Sequence, residues 1–163
     1  MLAINEGVDG FISIAGAGQN IGDVIVEQIN NTARQFVEET KKVVTSLKAG
    51  KSTEDYPPAL AAMFNTETQP FMMSWMAYEP TEIIAKLKTP ILIVNGTKDL
   101  QVSVEEAKLL AEANTNAELK VIENMNHVLK IIENDADNLP SYYSPDFTLS
   151  AELVKTITEF VKQ

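Results

Sequence analysis

Two short apolar runs separated by a helix-forming segment constrain this chain more than any other feature. The first is Ile91-Leu92-Ile93-Val94-Asn95 and the second is Leu119-Lys120-Val121-Ile122. The first run, bounded by Pro90 and Asn95-Gly96, reads as a strand buried on both faces, as central parallel strands are. Between the runs, Ser103-Val104-Glu105-Glu106 has the spacing of a capping box, with Ser103 placed to cap a helix and Glu106 to reach back. That helix runs to about Ala113, and Asn114-Thr115-Asn116 ends it. Strand, helix, strand at this spacing demands a right-handed crossover and a parallel sheet. Val8 to Ala15 reads as a third strand, ended by Gly16-Ala17-Gly18. The class is therefore α/β, with about three parallel strands near 8–15, 91–95 and 119–122 and flanking helices.

The remainder is mostly helical. Residues 1–6 look like the last turns of a helix, with Gly7 as its terminator. Over 21–49, Ile25, Ile29, Ala33, Phe36, Val43, Val44 and Leu47 follow one helical stripe, and Gly50 closes it. Pro57-Pro58 opens a short helix, and Gln69-Pro70 breaks the chain again. A short helix over Thr81–Leu87 follows Pro80. A polar loop, 133–147, leads to a last helix with Leu149, Leu153, Ile157, Phe160 and Val161 on its apolar stripe. Residues 20–80 are too long for an ordinary connection between strands and read as an inserted helical cap, or lid, on a core of 1–19 and 81–163.

Charge and composition exclude several classes. A net charge of −10 with scattered basic residues disfavours nucleic acid and anionic membrane surfaces. Without cysteine, disulfides, thiolate catalysis and Cys-ligated metals are excluded. One histidine, and Asp135 and Asp137 without the full spacing of a calcium loop, give metal binding little support. No apolar run can span a bilayer and residues 1–10 carry no basic start, so a cytoplasmic location is expected.

Asp99 lies just past the first strand and His127, the sole histidine, just past the last. Groups at the carboxyl ends of parallel strands converge where ligands and chemistry collect. An acid that accepts the proton of one imidazole nitrogen leaves the other nitrogen free as a base. Spacing alone leaves a second reading open, in which Asp99 caps the helix near Ser103 and His127 is a loop residue. No serine has the signature of a nucleophile: Ser13 lies mid-strand, Ser103 reads as a cap, and Ser74, Ser141 and Ser144 sit in cap or loop segments. Gly16-Ala17-Gly18-Gln19-Asn20-Ile21-Gly22 could cradle a phosphate at a helix start. It lacks the acidic residue after a second strand that a dinucleotide site uses, so a turn is the favoured reading and no cofactor is expected. Phe71, Met72, Trp75 and Met76 head a dense apolar cluster that suits a substrate pocket, or glue between cap and sheet.

The stretch Lys88–Val102 resembles the seventh strand and acid loop of the α/β-hydrolase family, and Asn126-His127-Val128-Leu129-Lys130 resembles its catalytic histidine loop. Tyr78-Glu79-Pro80 and the closing Ile157-Thr158-Glu159-Phe160-Val161 fit the same pattern. The resemblance is nearest to the serine hydrolases that include dienelactone hydrolase-like and lysophospholipase-like esterases and serine aminopeptidases. It implies that Asp99 is the acid and His127 the base of a Ser-His-Asp triad acting on a small or medium carboxylic ester. The family's nucleophile elbow, Gly-x-Ser-x-Gly, does not occur in the sequence. By the resemblance, residues 1–4 belong to the helix after the nucleophile, so the chain is expected to be the C-terminal part of such an enzyme and inactive alone. A rival expectation is a non-catalytic fragment that forms homo-oligomers through the strand near 8–15, left with an open edge. A weaker rival is a nucleotide-binding module at Gly16–Gly22.

Overall fold

The run Ile91-Leu92-Ile93-Val94 becomes the middle strand of a three-stranded sheet and is at most 1% exposed along its length. The structure, a computed structural model, describes residues 7–163. The helix end read from residues 1–6 lies outside them. The chain divides into two units: a sheet unit, formed by the stretch up to Gly18 with Thr81–Gln163, and a helical unit, Gln19–Pro80.

In the sheet unit, β1 (Phe11–Ile14), β2 (Ile91–Gly96) and β3 (Ala117–Ile122) lie side by side in that order, all parallel. β1 is shorter than the run Val8–Ala15 suggests: it begins at Phe11, and after Ile14 the chain turns away at Ala15, at φ 49°, whose N–H still donates to the Val94 carbonyl at 2.8 Å. Alternate residues of β2 feed two cores, as the two-residue strand period requires. Ile91 and Ile93 pack with Ile84, Leu87, Ala107 and Leu110, on the side of helix α6 (Val104–Ala113). Leu92 and Val94 pack with Ile122, Met125 and Leu153, on the side of the last helix, α8 (Ala151–Val161). On α8 the inward residues are Leu153, Ile157 and Phe160, while Val161 is exposed, as is Leu149, which lies before the helix begins. Inside the polar loop 133–147 lies a further short helix, α7 (Asn138–Ser141).

The helical unit contains α1 (Ile21–Thr32), α2 (Val37–Lys48), α3 (Ala61–Phe64) and α4 (Gln69–Met76), and α5 (Pro80–Ile84) begins at its last residue. The stripe over 21–49 is two helices rather than one. After the weak helix formers Asn30-Asn31-Thr32, Ala33 leaves helical geometry at φ −149°, ψ 55°, and a tight turn at Arg34–Phe36 redirects the chain. Ile25, Ile29, Val43, Val44 and Leu47 still meet in one core with Phe64, Met72 and Met76. Gln69-Pro70 starts a helix instead of breaking one, since proline in the first turn removes an N–H that has no partner there.

Candidate functional site

Gly96 ends β2 opposite Ile122, the last residue of β3, so the two following loops leave the sheet at the same level. The loops then touch: the Lys98 N–H donates to the Met125 carbonyl at 2.9 Å and the Thr97 N–H to the Ile122 carbonyl at 3.1 Å. A Cβ at position 96 would lie 2.0 Å from the Met125 oxygen, so only glycine permits this approach.

The loop after β3 folds back as a small hairpin. Met125 pairs antiparallel with Ile131, the Asn126 N–H donates to the Lys130 carbonyl at 3.0 Å, and Leu129 closes the turn at φ 66°. His127 sits at the tip. Its Nδ1 lies 2.9 Å from Asp99 Oδ2. The Asp99 side chain is 1% exposed and that of His127 is 27% exposed. Asp99 Oδ1 accepts the backbone N–H groups of Gln101 and Val102, each at 2.8 Å. Both oxygens are thus engaged, one by its own loop and one by the imidazole. A carboxylate so placed accepts an Nδ1–H and leaves Nε2 with a lone pair, the tautomer a general base needs.

The two readings of Asp99 left open by spacing are compatible, because one oxygen organises the turn into α6 while the other meets His127. The Ser103 hydroxyl, by contrast, makes no cap bond to α6. Glu106 is buried, and its carboxylate accepts the Gly18 N–H at 2.8 Å. The Gly18 N–H of the glycine-rich stretch is therefore already taken by a side chain of the sheet unit. Asn20 likewise fills the start of α1, accepting the Gly22 N–H through its side chain at 3.0 Å.

Beside Asp99, Tyr142 has its hydroxyl group buried without a partner at full hydrogen-bonding geometry. Burial, and then the negative charge of Asp99, push its phenol above the ordinary tyrosine value, with Gln101 opposing in part. Of the apolar cluster, Met72 and Met76 point into the core of the helical unit. Phe71 and Trp75 are 66% and 48% exposed, and their rings touch each other at 5.6 Å. A groove of about 390 Å³ lined by Gly10, Ile12, Pro90 and Phe160 lies at the amino ends of β1 and β2, the opposite end from Asp99 and His127. Among the described residues, no group of three or more His, Asp or Glu side chains is placed to hold a metal.

Sequence reasoning passed over the polar side chains that hold these loops together. Asn126 and Asn138 are 1% and 5% exposed, and Ser141 is fully buried. In a stretch rich in Asn, Asp and Ser they read as solvated loop residues. The one available signal was the asparagine directly before the only histidine.

No family model and no curated protein matches this sequence. Among solved structures, the chain is similar to an enol-lactonase from Burkholderia xenovorans, at 16% identity over 99% of this chain and 60% of that one, TM-score 0.49. It is similar to a meta-cleavage product hydrolase from Pseudomonas fluorescens, at 19% identity over 85% of this chain and 57% of that one, TM-score 0.43. A third is an alpha/beta fold family hydrolase from Bacillus anthracis, at 18% identity over 84% of this chain and 59% of that one, TM-score 0.45. The likeness is to enzymes of the α/β-hydrolase fold. The chain spans 57–60% of the length of these three structures.

Proposed function

We propose that the chain is the C-terminal part of a serine hydrolase acting on carboxylic esters. It supplies the acid Asp99 and the base His127, and the nucleophilic serine comes from outside residues 1–163. The observation that carries this reading is the 2.9 Å contact between His127 Nδ1 and a nearly fully buried Asp99, at the carboxyl ends of adjacent parallel strands. His127 Nε2 takes the serine proton as the hydroxyl attacks the ester carbonyl and returns it to the leaving alcohol. Asp99 holds the imidazole in the required tautomer and stabilises the imidazolium. The helical unit acts as the cap that sets substrate choice, with Phe71 and Trp75 offering an apolar surface to the acyl or alkyl group.

The test joins this chain to the coding sequence that precedes it and assays short-chain esters. Activity is expected, and His127→Ala or Asp99→Asn lowers kcat by about 10⁴-fold. Residues 1–163 alone are expected to turn over no ester. Turnover by this chain alone that disappears in His127→Ala would overturn the division of labour.

A second reading is favoured by β1, which has a single strand neighbour among the described residues and leaves Ile14 37% exposed. In it, two copies pair through this edge. Light scattering decides: a stable dimer supports this reading, and a monodisperse monomer removes it.

A further inference from the structure

Two loops carry the pair, and a third segment fastens them together. Asn138, at the start of α7, donates through Nδ2 to the Lys98 carbonyl at 2.7 Å, directly before Asp99. Its Oδ1 accepts from Asn126 Nδ2 at 3.1 Å, directly before His127. Asn126 Nδ2 also donates to Ser141 Oγ at 2.7 Å, and Asn126 Oδ1 accepts the Lys130 N–H at 3.0 Å. Ser141 Oγ donates to the Asn138 carbonyl at 2.6 Å. The Lys130 ammonium then holds α7 from its far end, donating to the Ser141 and Ser144 carbonyls at 2.7 and 2.6 Å. The side chains of Asn126 and Asn138 thus bridge the residues that precede the base and the acid. Buried amides bonded on both sides tolerate little movement, because any displacement leaves a donor or acceptor without a partner.

We infer that Asn138, with Asn126 and Ser141, is a positioning residue that sets the register of His127 against Asp99 and so selects the Nδ1–H tautomer. The inference rests on the acid–base reading of that pair. An alternative in which the trio merely stabilises a loop makes a different prediction: the fold weakens, but the imidazole tautomer stays the same once the protein is folded.

His127 is the only histidine, so the ¹⁵N and ¹H signals of its ring are unambiguous in the full chain. The experiment records them at a pH where the ring is neutral, for the wild-type chain and for Asn138→Ala, Asn138→Asp and Ser141→Ala, with thermal unfolding and an amide spectrum as controls. The wild-type ring is expected to be mainly Nδ1–H, with that proton protected from exchange. Asn138→Ala is expected to lower the ratio of Nδ1–H to Nε2–H by about fivefold, the effect of losing a hydrogen bond of ordinary net strength. Asn138→Asp keeps the acceptor for Asn126 but sets a carboxylate oxygen against the Lys98 carbonyl in place of the donor, so its ratio falls at least as far. Ser141→Ala shifts the ratio in the same direction and is the milder substitution, so it decides the matter if Asn138→Ala does not fold. Folded variants with the wild-type ratio would overturn the inference while leaving the acid–base pair in place. A wild-type ring that is mainly Nε2–H would instead overturn the pair itself.

Discussion

Both units close their loops with buried amide side chains that satisfy backbone, Asn114 among them in the sheet unit, but in the sheet unit two further amides stand beside a titratable pair. In the helical unit Gln69 is fully buried and holds chain segments together: Nε2 donates to the Thr53 and Phe64 carbonyls at 2.7 and 2.6 Å, and Oε1 accepts the Thr53 N–H at 2.9 Å. Asn20 does the same, donating to the Met76 and Tyr78 carbonyls at 2.8 and 3.1 Å. The partners of Gln69 are all backbone groups whose only need is satisfaction, and Asn20 adds to its backbone partners the Glu79 carboxylate, to which it donates at 2.8 Å. In the sheet unit Asn126 and Asn138 bond to each other and flank a titratable pair. An amide that satisfies backbone protects stability; an amide network beside an imidazole also fixes a geometry.

The sharpest way to break this contrast is Gly96→Ala. The added Cβ meets the Met125 carbonyl, so the two loops must separate, at a cost of about 3 kcal/mol. Urea denaturation should show that loss, and hydrogen exchange should place it in the sheet unit. Gln69→Ala strands three backbone groups and should cost about 2 kcal/mol. Its exchange signature is expected around Thr53 and Phe64, whose backbone groups lose their partner, and exchange unchanged there would refute the role given to Gln69. A smaller effect is expected from Tyr142→Phe. The folded state raises the Tyr142 pKa above its ordinary value of 10.0, so the folded chain retains the proton after the unfolded chain has lost it. Stability from this group is complete below pH 10 and is lost as pH rises beyond it. The wild-type urea midpoint should therefore fall more steeply as pH rises above 10 than that of Tyr142→Phe, with the two similar at pH 8. Smallest of all is Phe71→Ala. At 66% exposure it should change the unfolding free energy by less than about 0.5 kcal/mol, while in the joined enzyme it should raise KM for longer acyl chains.

What the sequence made legible follows from the range of the forces involved. Ile91 to Val94 announce a buried strand because burial on both faces requires unbroken apolar side chains. Asp99 and His127 are legible because strand ends have a fixed sense in a parallel sheet. The break at Ala33 was hidden because the apolar spacing of 21–49 fits two packed helices as well as one. Gln69-Pro70 was misread because proline ends one helix and starts another with the same local chemistry. The Asn126, Asn138 and Ser141 contacts join residues 12 and 15 positions apart, and their residue types are those of any solvated loop. Only folding distinguishes them.

The parallel pairing of the strands also sets an order of assembly. β2 and β3 meet across a short crossover, with Ile91 opposite Ala117, whereas β1 must wait for Ile91 while holding Phe11 in reserve across the whole helical unit. Closing the longer loop has the larger entropic cost, so the segment of β2, α6 and β3 is expected to form the nucleus. β1, although made before the helical unit and β2, is then the last of the three strands to dock. During synthesis the edge of its Phe-Ile-Ser-Ile segment that pairs with β2 stays uncovered until β2 has been made, and that interval is when a chaperone, or aggregation, has access to it.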